Sequence, residues 1–381
     1  WLKSMNKIFE KGGKLHWLHS TVDAFETFLH VPGTVALKGA HVRDAVDIKR
    51  IMIIAVIAAG PAALFGMWNV GYQHALATGI SMNVLQAFWF GFVKVLPLYL
   101  VSYIVGLAIE FASAQIRGEE VNEGYLVTGF FIPLIVPIDV PLWMLAIAVA
   151  FAVIFGKEVF GGTGMNLINP AILTRAFLFF SYPNHMSGED CWIAAKSGEL
   201  IDGFSGATPL ALAANGMDAL TNAPVQYSTS FWTMFWGGIP GSVGETSVIA
   251  ILLGAIILIW TGVASWKVMA GSVIGAVAVA GLANLTGASD VPFYYHLVMG
   301  GFAFGAVFMA TDPVTSAQTE PGKWIYGILI GALCVIIRLF NPGYAEGMML
   351  AIFLGNIFAP LIDYIVVNAH LKAKSKKAIA E

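Results

Sequence analysis

A short polar segment, Ser205-Gly206-Ala207-Thr208-Pro209, lies in a long stretch between two sets of apolar runs. Gly206 and Ala207 leave the backbone unshielded, and Pro209 biases Thr208 away from the helical conformation. The Thr208 hydroxyl is therefore presented in a way that is open to covalent modification. The same residues are also typical of a plain turn, and from the residues alone that alternative stays open.

Two carboxylates, Glu110 and Asp363, stand inside apolar runs. A charged side chain at the centre of a membrane helix costs about 3 kcal/mol or more, so such residues usually have a function. Their hard oxygen atoms suit a cation such as Na⁺. The alternative is that both lie near a membrane interface, where water hydrates them or a lysine of the C-terminal tail pairs with them.

Three further residues in apolar runs are candidates for ligand contacts. Gly106 lies one helical turn before Glu110, where a small residue lets a flat ring approach the helix. Glycine in membrane helices is ordinarily a packing residue, which is the alternative. Arg175 and Arg338 are candidate buried cations that pair with a phosphate or a carboxylate, and a purely structural ion pair is the alternative.

The composition indicates the class of protein that positions these residues. Charged residues make up 11% of the 381 residues, 58% are hydrophobic, and the mean hydropathy is +0.77. A soluble domain of this length could not cover its surface with so few charges, so we predict a polytopic membrane protein. A formal net charge of −3 provides no basic face, which excludes nucleic acid as a partner.

Apolar runs of about 20 residues, long enough to cross a bilayer as helices, occur about ten times. They lie near residues 51–74, 86–113, 124–139, 141–156, 165–181, 246–263, 266–286, 292–310, 323–340 and 346–368. Pro133, Pro137 and Pro141 separate the third run poorly from the fourth and predict broken or kinked helices there. The predicted fold is all-α.

The distribution of basic residues predicts how these helices cross the membrane. With the N-terminus in the cytoplasm, nearly all lysines and arginines of the connecting segments lie inside, and the outer loops carry only Lys196. The predicted parts of the chain are a cytoplasmic segment 1–50, a first membrane repeat 51–181, an outer, periplasmic loop 182–245, a second repeat 246–368, and a basic cytoplasmic tail 369–381.

The two membrane parts echo each other in sequence. Trp143 and Trp324 each precede a basic residue, Lys157 or Arg338, by 14 positions. The segment 166–172, Asn-Leu-Ile-Asn-Pro-Ala-Ile, also resembles the segment 356–362, Asn-Ile-Phe-Ala-Pro-Leu-Ile. With about five helices in each half, the second half must insert upside down, and inverted repeats usually place a binding site at their interface. Chance similarity between apolar stretches is the alternative.

The tetrapeptide Ser205–Thr208 resembles the flavin-attachment motif of one family of membrane subunits. This family comprises the B subunit of the Na⁺-translocating NADH:quinone oxidoreductase and its relative, the D subunit of the Rnf ferredoxin-linked complex. The resemblance covers most of the chain, and the polar extension 1–50 is more similar to the quinone reductase subunit. The other similar segments are His41 to Arg50, Asn122 to Gly124, Lys157 to Gly164, Asn166 to Pro170 and Gly244 to Ser247.

The resemblance implies that Thr208 carries FMN in phosphoester linkage and that a second, non-covalent flavin, riboflavin, lies near Asn166 and Asn169. An amide side chain offers donors and an acceptor to the polar edge of an isoalloxazine ring. The alternative is that both asparagines merely cap the following helix. In the predicted topology Thr208 lies outside and the asparagines lie toward the cytoplasm, so we expect an electron to cross the bilayer between the two flavins.

The resemblance also assigns roles to the apolar-run residues. Glu110 and Asp363 match acidic positions associated with cation uptake, and Gly106 matches a position linked to quinone-site inhibitors. The resulting prediction is a subunit of a respiratory sodium pump in the bacterial inner membrane that reduces ubiquinone and moves Na⁺.

Several motifs are missing from the sequence. No Gly-x-Gly-x-x-Gly or P-loop occurs, and Cys191 and Cys334 are too few for an iron–sulfur cluster or a structural zinc site. We therefore expect electrons to arrive from partner subunits that hold a flavin and iron–sulfur centres.

Three other interpretations stay open. One is the D subunit of an Rnf-type ferredoxin:NAD oxidoreductase, which belongs to the same class. A second is a cofactor-free secondary transporter or channel, which inverted repeats and broken helices support equally well. The third is a scaffold subunit, in which the intramembrane carboxylates would be unnecessary.

Overall fold

The computed structural model describes residues 39, 48–118, 124–188, 191–195, 198–341 and 346–380. Every regular element in these ranges is helical, and they contain no strand. Six helices are long and apolar enough to cross a membrane, and three shorter apolar helices accompany them. The prediction of an all-α polytopic membrane protein is confirmed. The segment that precedes the first helix lies almost entirely outside the described residues.

The first half of the molecule contains five helices that match the first five predicted runs. They are α1 Ile48–Thr78, α2 Val84–Arg117, α3 Tyr125–Ile135, α4 Leu142–Gly156 and α5 Pro170–Ser181. The predicted break near the three prolines is present, because α3 ends soon after Pro133 and α4 begins directly after Pro141. Helices α3 and α5 are therefore too short to cross a bilayer.

Three short helices lie in the long connection between the halves. They are α6 Pro209–Ala213, α7 Met217–Thr221 and α8 Phe231–Trp236. Thr208 and Ser230 are the N-caps of α6 and α8, and each side chain accepts a hydrogen bond from a backbone N–H of the first turn. The predicted outer loop is therefore a folded segment.

The second half also combines long helices with short and broken ones, but its first helix is short and its last helix is long. Its helices are α9 Val248–Trp260, α10 Trp266–Thr286, α11 Tyr295–Val298, α12 Phe302–Phe304, α13 Glu320–Phe340 and α14 Met348–Ala380. A π-helical turn, Gly305–Met309, continues α12. The segment from α11 to this turn matches the eighth predicted run, so each of the ten predicted runs contains a helical element.

Neighbouring helices correspond in the two halves. In the first half α2 packs on α4 and α4 packs on α5, and in the second half α10 packs on α13 and α13 packs on α14. The corresponding helices also meet each other, since α1 contacts α9 and α5 contacts α14. The two halves therefore share these contacts between neighbouring helices and meet where α1 packs on α9 and α5 packs on α14.

The echoes in the sequence differ in structural meaning. Trp143 and Trp324 both lie in the first turns of a helix, α4 and α13, and Lys157 and Arg338 lie at the ends of these helices, so this echo joins similar positions. Asn166 precedes α5, whereas the matching Asn356 lies well inside α14. The second echo therefore joins positions that are not equivalent.

The broken end of α3 is closed by the segment that leads into α9. The backbone N–H of Gly244 donates to the Leu134 carbonyl at 2.8 Å, and the Ser242 hydroxyl donates to the Ile135 carbonyl at 3.3 Å. Carbonyls at the end of a helix inside a membrane need such partners because lipid offers none. The two halves are thus joined where their broken helices meet.

Close backbone contact holds α10 against α13. A Cβ atom added to Gly275 would overlap the backbone of Ile328, and one added to Gly331 would overlap the backbone of Ser272. Small residues spaced four apart allow membrane helices to approach in this way. The pair forms a rigid support for the elements at its ends.

The helix ends form two opposite faces. The Lys157 face contains the ion pair between Lys157 and Glu110, which joins α4 to α2. The Thr208 face contains the long connection between the halves. This connection contacts the C-terminal end of α1 through the hydrogen bond from the Ile201 N–H to the Ala77 carbonyl. Which face is cytoplasmic stays a prediction from the basic residues.

Exposed tryptophans surround both faces. Trp232 and Trp236 lie on the Thr208 face, and Trp260 and Trp266 lie on the Lys157 face. Tryptophan is enriched where a membrane protein passes from lipid to water. These residues mark two levels at which the chain meets the membrane surface.

Candidate functional site

Thr208 occupies the N-cap of α6 on the Thr208 face. Its backbone is extended, with φ −79° and ψ 152°, as expected for a residue before proline, and its hydroxyl oxygen accepts the N–H of Ala211 at 3.3 Å. The residue is half-buried. The Tyr227 hydroxyl donates to the Ala207 carbonyl at 2.5 Å, and the Ser205 hydroxyl accepts the Ala207 N–H at 3.4 Å. The segment is a fixed turn that presents one hydroxyl.

Thr208 lines a cavity of about 260 Å³, which we call the Thr208 cavity. Its wall includes Arg175, Trp192, Glu245 and Glu346, which come from separate parts of the chain. A tryptophan and several apolar side chains beside a few polar groups are typical of a site for a flat organic ring. The predicted attachment residue therefore opens onto a cavity.

A buried charge triad forms one wall of the Thr208 cavity. Arg175 of α5 donates from Nη1 to Glu245 and from Nη2 to Glu346. Its side chain is 4% exposed, and those of Glu245 and Glu346 are 8% and 14% exposed. Of the two alternatives for Arg175, the structure bears out the ion pair. Two carboxylates therefore meet one guanidinium in this wall.

Asn166 and Asn169 lie near the Lys157 face, in the segment that leads into α5. The Asn169 Oδ1 accepts the N–H groups of Ala171 and Ile172 at 2.9 and 3.4 Å, which makes it the N-cap of α5. Its Nδ2 donates to the carboxylate of Asp312 at 3.1 Å. Asn169 therefore caps α5, as the alternative interpretation of the sequence predicted. Through Asp312 it also joins the two halves.

Both asparagines line a cavity of about 110 Å³, which we call the Asn169 cavity. Lys157 and Asp312 provide a cation and a carboxylate in its wall, and Phe131 and Phe308 provide aromatic surface. Among the described residues, Asn166 donates one long hydrogen bond, to the Ile168 carbonyl at 3.4 Å. Donors, acceptors and aromatic rings suit a flavin. The volume is below the range of about 300–1,000 Å³ common for ligand sites, so a flavin requires its walls to move apart.

The predicted cation residue Glu110 is paired inside the protein. Lys157 donates to its Oε1, and the two side chains are 5% and 4% exposed. The Glu110 Oε2 has no hydrogen-bond partner among the described residues. Lys157 also lines the Asn169 cavity, so one ammonium group connects that cavity with Glu110.

The second predicted cation residue, Asp363 of α14, binds the start of α13. Its carboxylate accepts the backbone N–H groups of Gln318 and Thr319 at 2.7 and 2.9 Å, and the Thr319 hydroxyl at 2.5 Å. A carboxylate at a helix N-terminus is stabilised by these N–H groups and by the helix dipole. Neither partner is a tail lysine.

Gly106 packs directly against an aromatic ring of the chain itself. A Cβ atom at this position would overlap the ring of Tyr125, whose hydroxyl donates to the Ser102 carbonyl at 2.9 Å. The flat ring next to Gly106 is therefore Tyr125. No group of three or more His, Cys, Asp or Glu side chains is placed to hold a metal ion within the described ranges.

Asp312 and the two partners of Arg175 were not among the residues predicted from the sequence. The partner Glu245 is 70 residues away and Glu346 is 171 residues away, so no local pattern connects them. One signal was present for Asp312, because Thr311-Asp312-Pro313 places a carboxylate beside a proline at the end of an apolar run.

A family model described as the NQR2, RnfD, RnfE family matches residues 35–372. The chain belongs to this family. The matched range includes all residues of both cavities and the two faces that they occupy. The resemblance drawn from Ser205–Thr208 and the other segments is therefore confirmed at the level of the family.

Similar proteins match this chain over nearly its whole length. The B subunit of the Na⁺-translocating NADH-quinone reductase of Ectopseudomonas mendocina (strain ymp) is 44% identical, over 98% of this chain and 97% of the relative. The protein of the same name in Klebsiella pneumoniae (strain 342) is 43% identical, over 99% and 98%. That of Pseudomonas aeruginosa (strain LESB58) is 44% identical, over 98% and 97%.

Proposed function

We propose that this chain is the B subunit of a sodium-translocating NADH:quinone reductase in a bacterial inner membrane, with its N-terminus in the cytoplasm. In this proposal it passes electrons through covalent FMN and non-covalent riboflavin to ubiquinone, and the transfer is coupled to Na⁺ movement. The names of the full-length relatives support the enzyme class.

The main observation in support of covalent attachment is the position of Thr208. Its hydroxyl stands at a fixed turn, is half-buried, and opens onto a cavity with an aromatic wall. The phosphoester joins the threonine oxygen to a flavin phosphate. It requires an activated flavin phosphate such as that of a flavin dinucleotide, from which the nucleoside monophosphate leaves while the hydroxyl proton goes to solvent.

A gel experiment tests this site. The denatured chain is separated by electrophoresis and examined for flavin fluorescence, which is expected in the parent protein and absent in Thr208→Ala. Thr221→Ala is the matched control, because Thr221 is an exposed threonine of the same connection and is expected to keep the fluorescence. A parent chain without fluorescence would contradict covalent attachment.

We assign the Asn169 cavity to riboflavin. The chain's own groups there are the Asn166 amide, the Lys157 ammonium and the Asp312 carboxylate, and their donors and acceptors suit the polar edge of the ring. The flavin supplies electron transfer when it is bound. The residues bind and orient it and exclude water, while Asn169 fixes the start of α5.

Sodium coupling is assigned to Glu110 and Asp363, and the quinone to the region of Gly106. Glu110 keeps one carboxylate oxygen without a partner among the described residues, which is the feature that a cation ligand needs. Loss of Na⁺-stimulated quinone reduction is expected in Glu110→Ala and Asp363→Ala. Asp218→Ala, an exposed acid on the opposite face, is the control. Unchanged Na⁺ dependence in both test variants would remove the assignment.

Partner subunits complete the electron route. Both cysteines, Cys191 and Cys334, are buried and unbridged, and they lie in separate parts of the chain. The proposed partners hold the NADH-linked flavin and the iron–sulfur centres. Activity of the purified complex that depends on ferredoxin would select the Rnf-type alternative.

A cofactor-free secondary transporter is the second candidate. The two similar halves with broken helices favour it, because many transporters are built in this way. It predicts that the purified complex contains no flavin in this chain, covalent or released. The gel experiment on Thr208 therefore separates the two candidates.

A further inference from the structure

Arg338 is a buried guanidinium in the last turn of α13, on the Thr208 face. Its side chain is 5% exposed. Three of its N–H groups donate to backbone carbonyls, those of His296 at 2.6 Å, Met299 at 3.0 Å and Glu346 at 3.1 Å. A guanidinium has five N–H groups, so two remain after these contacts. The three carbonyls fix its position, and the centre of the Phe302 ring lies 6.0 Å from its guanidinium carbon, but none of these contacts brings a negative charge.

No carboxylate forms an ion pair with Arg338 among the residues that the structure describes, and the nearby Glu346 carboxylate is bound to Arg175. The equivalent residue of the first half, Lys157, is neutralised by Glu110 of α2. The matching helix of the second half, α10, contains no Asp or Glu. A buried charge without a partner costs several kcal/mol, so an anion is expected here.

His296 adds a second observation at the same place. Its side chain is 5% exposed, and neither ring nitrogen has a hydrogen-bond partner within the described part of the chain. His296 and Arg338 both line a cavity of about 120 Å³, which we call the Arg338 cavity. A buried imidazole almost always has a partner for at least one nitrogen, so this pair points to a ligand that binds both residues.

The remaining walls of the Arg338 cavity suit a small polar ligand. They include Ser289 and Asp290 at one side and the alanines at the end of α6 at another. Asp290 is exposed at the rim, where water screens its charge, and its Oδ2 accepts the Met217 N–H at 2.8 Å. The cavity is small, at about 120 Å³, and offers room for a few water-sized groups.

We propose that the Arg338 cavity binds a phosphate group. A planar guanidinium with two N–H groups in one fork matches two oxygens of such an anion, and the His296 N–H matches a third. The phosphate group has two sources, free inorganic phosphate or the headgroup of an anionic phospholipid. This inference does not depend on either flavin site.

Thermal stability of the intact, delipidated complex tests the site. An epitope on the C-terminus allows the soluble fraction of this chain to be followed after heating, at constant ionic strength. If the ligand is free phosphate, saturating inorganic phosphate is expected to raise the midpoint of thermal denaturation of the parent complex by about 3 °C relative to chloride. If the ligand is a lipid, phosphatidylglycerol raises the midpoint and phosphatidylcholine and free phosphate do not.

Two variants and one control complete the experiment. His296→Leu removes the unpartnered ring nitrogens without adding a charge and is expected to lose the response to the effective anion. Arg338→Lys keeps the positive charge but lacks the paired N–H groups of a guanidinium. It is expected to need at least about tenfold more anion for the same rise in thermal midpoint. His185→Leu, an exposed histidine on the same face, is expected to respond like the parent. The proposal fails if neither anion stabilises the parent complex, or if His296→Leu responds as the parent does.

Discussion

The Thr208 cavity and the Asn169 cavity occupy comparable places at opposite faces of one helix bundle, yet their walls differ. In the Thr208 cavity the charges are already paired, because Arg175 binds both Glu245 and Glu346. In the Asn169 cavity the polar groups bridge the halves, because Asn169 of the first half binds Asp312 of the second.

This difference explains how each cavity retains a cofactor in the proposed function. We propose that the Thr208 cavity, whose wall sets two carboxylates against one guanidinium, holds its flavin through the bond to threonine. We propose that the Asn169 cavity, whose wall offers Lys157, Asp312 and Asn166 as donors and acceptors, holds riboflavin by hydrogen bonds.

The largest expected effect comes from breaking the triad of the Thr208 cavity. Arg175→Met leaves Glu245 and Glu346 buried without their cation, and removal of one partner from a buried ion pair costs about 3–5 kcal/mol. We expect the soluble fraction of the chain after heating to fall sharply. Partial recovery is expected in the triple variant Arg175→Met, Glu245→Gln, Glu346→Gln. A single variant as stable as the parent would show that the triad is not formed.

Breaking the ion pair beside the Asn169 cavity is expected to have a similar but smaller effect. Lys157→Met leaves one buried carboxylate, Glu110, rather than two, and this carboxylate regains neutrality by taking up a proton. We expect loss of thermal stability and recovery in the double variant Lys157→Met, Glu110→Gln. If the double variant is no better than the single one, the two residues do not act as a pair.

Substitutions of the two asparagines are expected to differ in their effects on stability and on flavin content. Asn169→Leu removes the cap of α5 and should cost about 1 kcal/mol, within a range of about 0.5–2 kcal/mol, in addition to any loss of flavin. Asn166→Leu should lower the content of non-covalent flavin and lose only the stability that the bound flavin supplies, because its hydrogen bond to the Ile168 carbonyl is long. Equal losses of stability in both variants would contradict the assignment of the cap to Asn169.

The smallest effect on stability is expected at Asp363. Asp363→Asn retains hydrogen-bonding oxygen but loses the charge at the N-terminus of α13, which is worth about 0.3–1 kcal/mol. The thermal midpoint should fall slightly and the loss should shrink in high salt. A large, salt-independent loss would mean that Asp363 is more than a partner of the α13 backbone.

Local patterns in the sequence predicted the positions of the ten helical elements and the separation of Thr208 from Asn166 and Asn169. They succeeded because hydrophobic runs, prolines and capping residues act within a few positions of each other. The turn at Thr208 followed from Pro209 alone.

Local patterns could not predict contacts between segments that are distant in the sequence. Arg175 was a candidate ion-pair residue, but its partners are determined by the way α5, the segment before α9 and the segment before α14 converge. Lys157 was used only in the predicted topology, the internal echo and the family resemblance, although it neutralises Glu110. Gly106 was a candidate quinone contact, and the ring that packs on it in the structure is Tyr125. Each of these facts depends on how helices pack rather than on sequence spacing.

The most direct measurement of the central claim is the separate determination of covalent and released flavin in the purified complex. After acid denaturation, flavin that stays with this chain and riboflavin that enters the supernatant are quantified for the parent, Thr208→Ala and Asn166→Leu. We predict that Thr208→Ala loses only the bound flavin and that Asn166→Leu loses only riboflavin. Loss of both flavins in either variant, or of neither in both, would contradict two independent cavities.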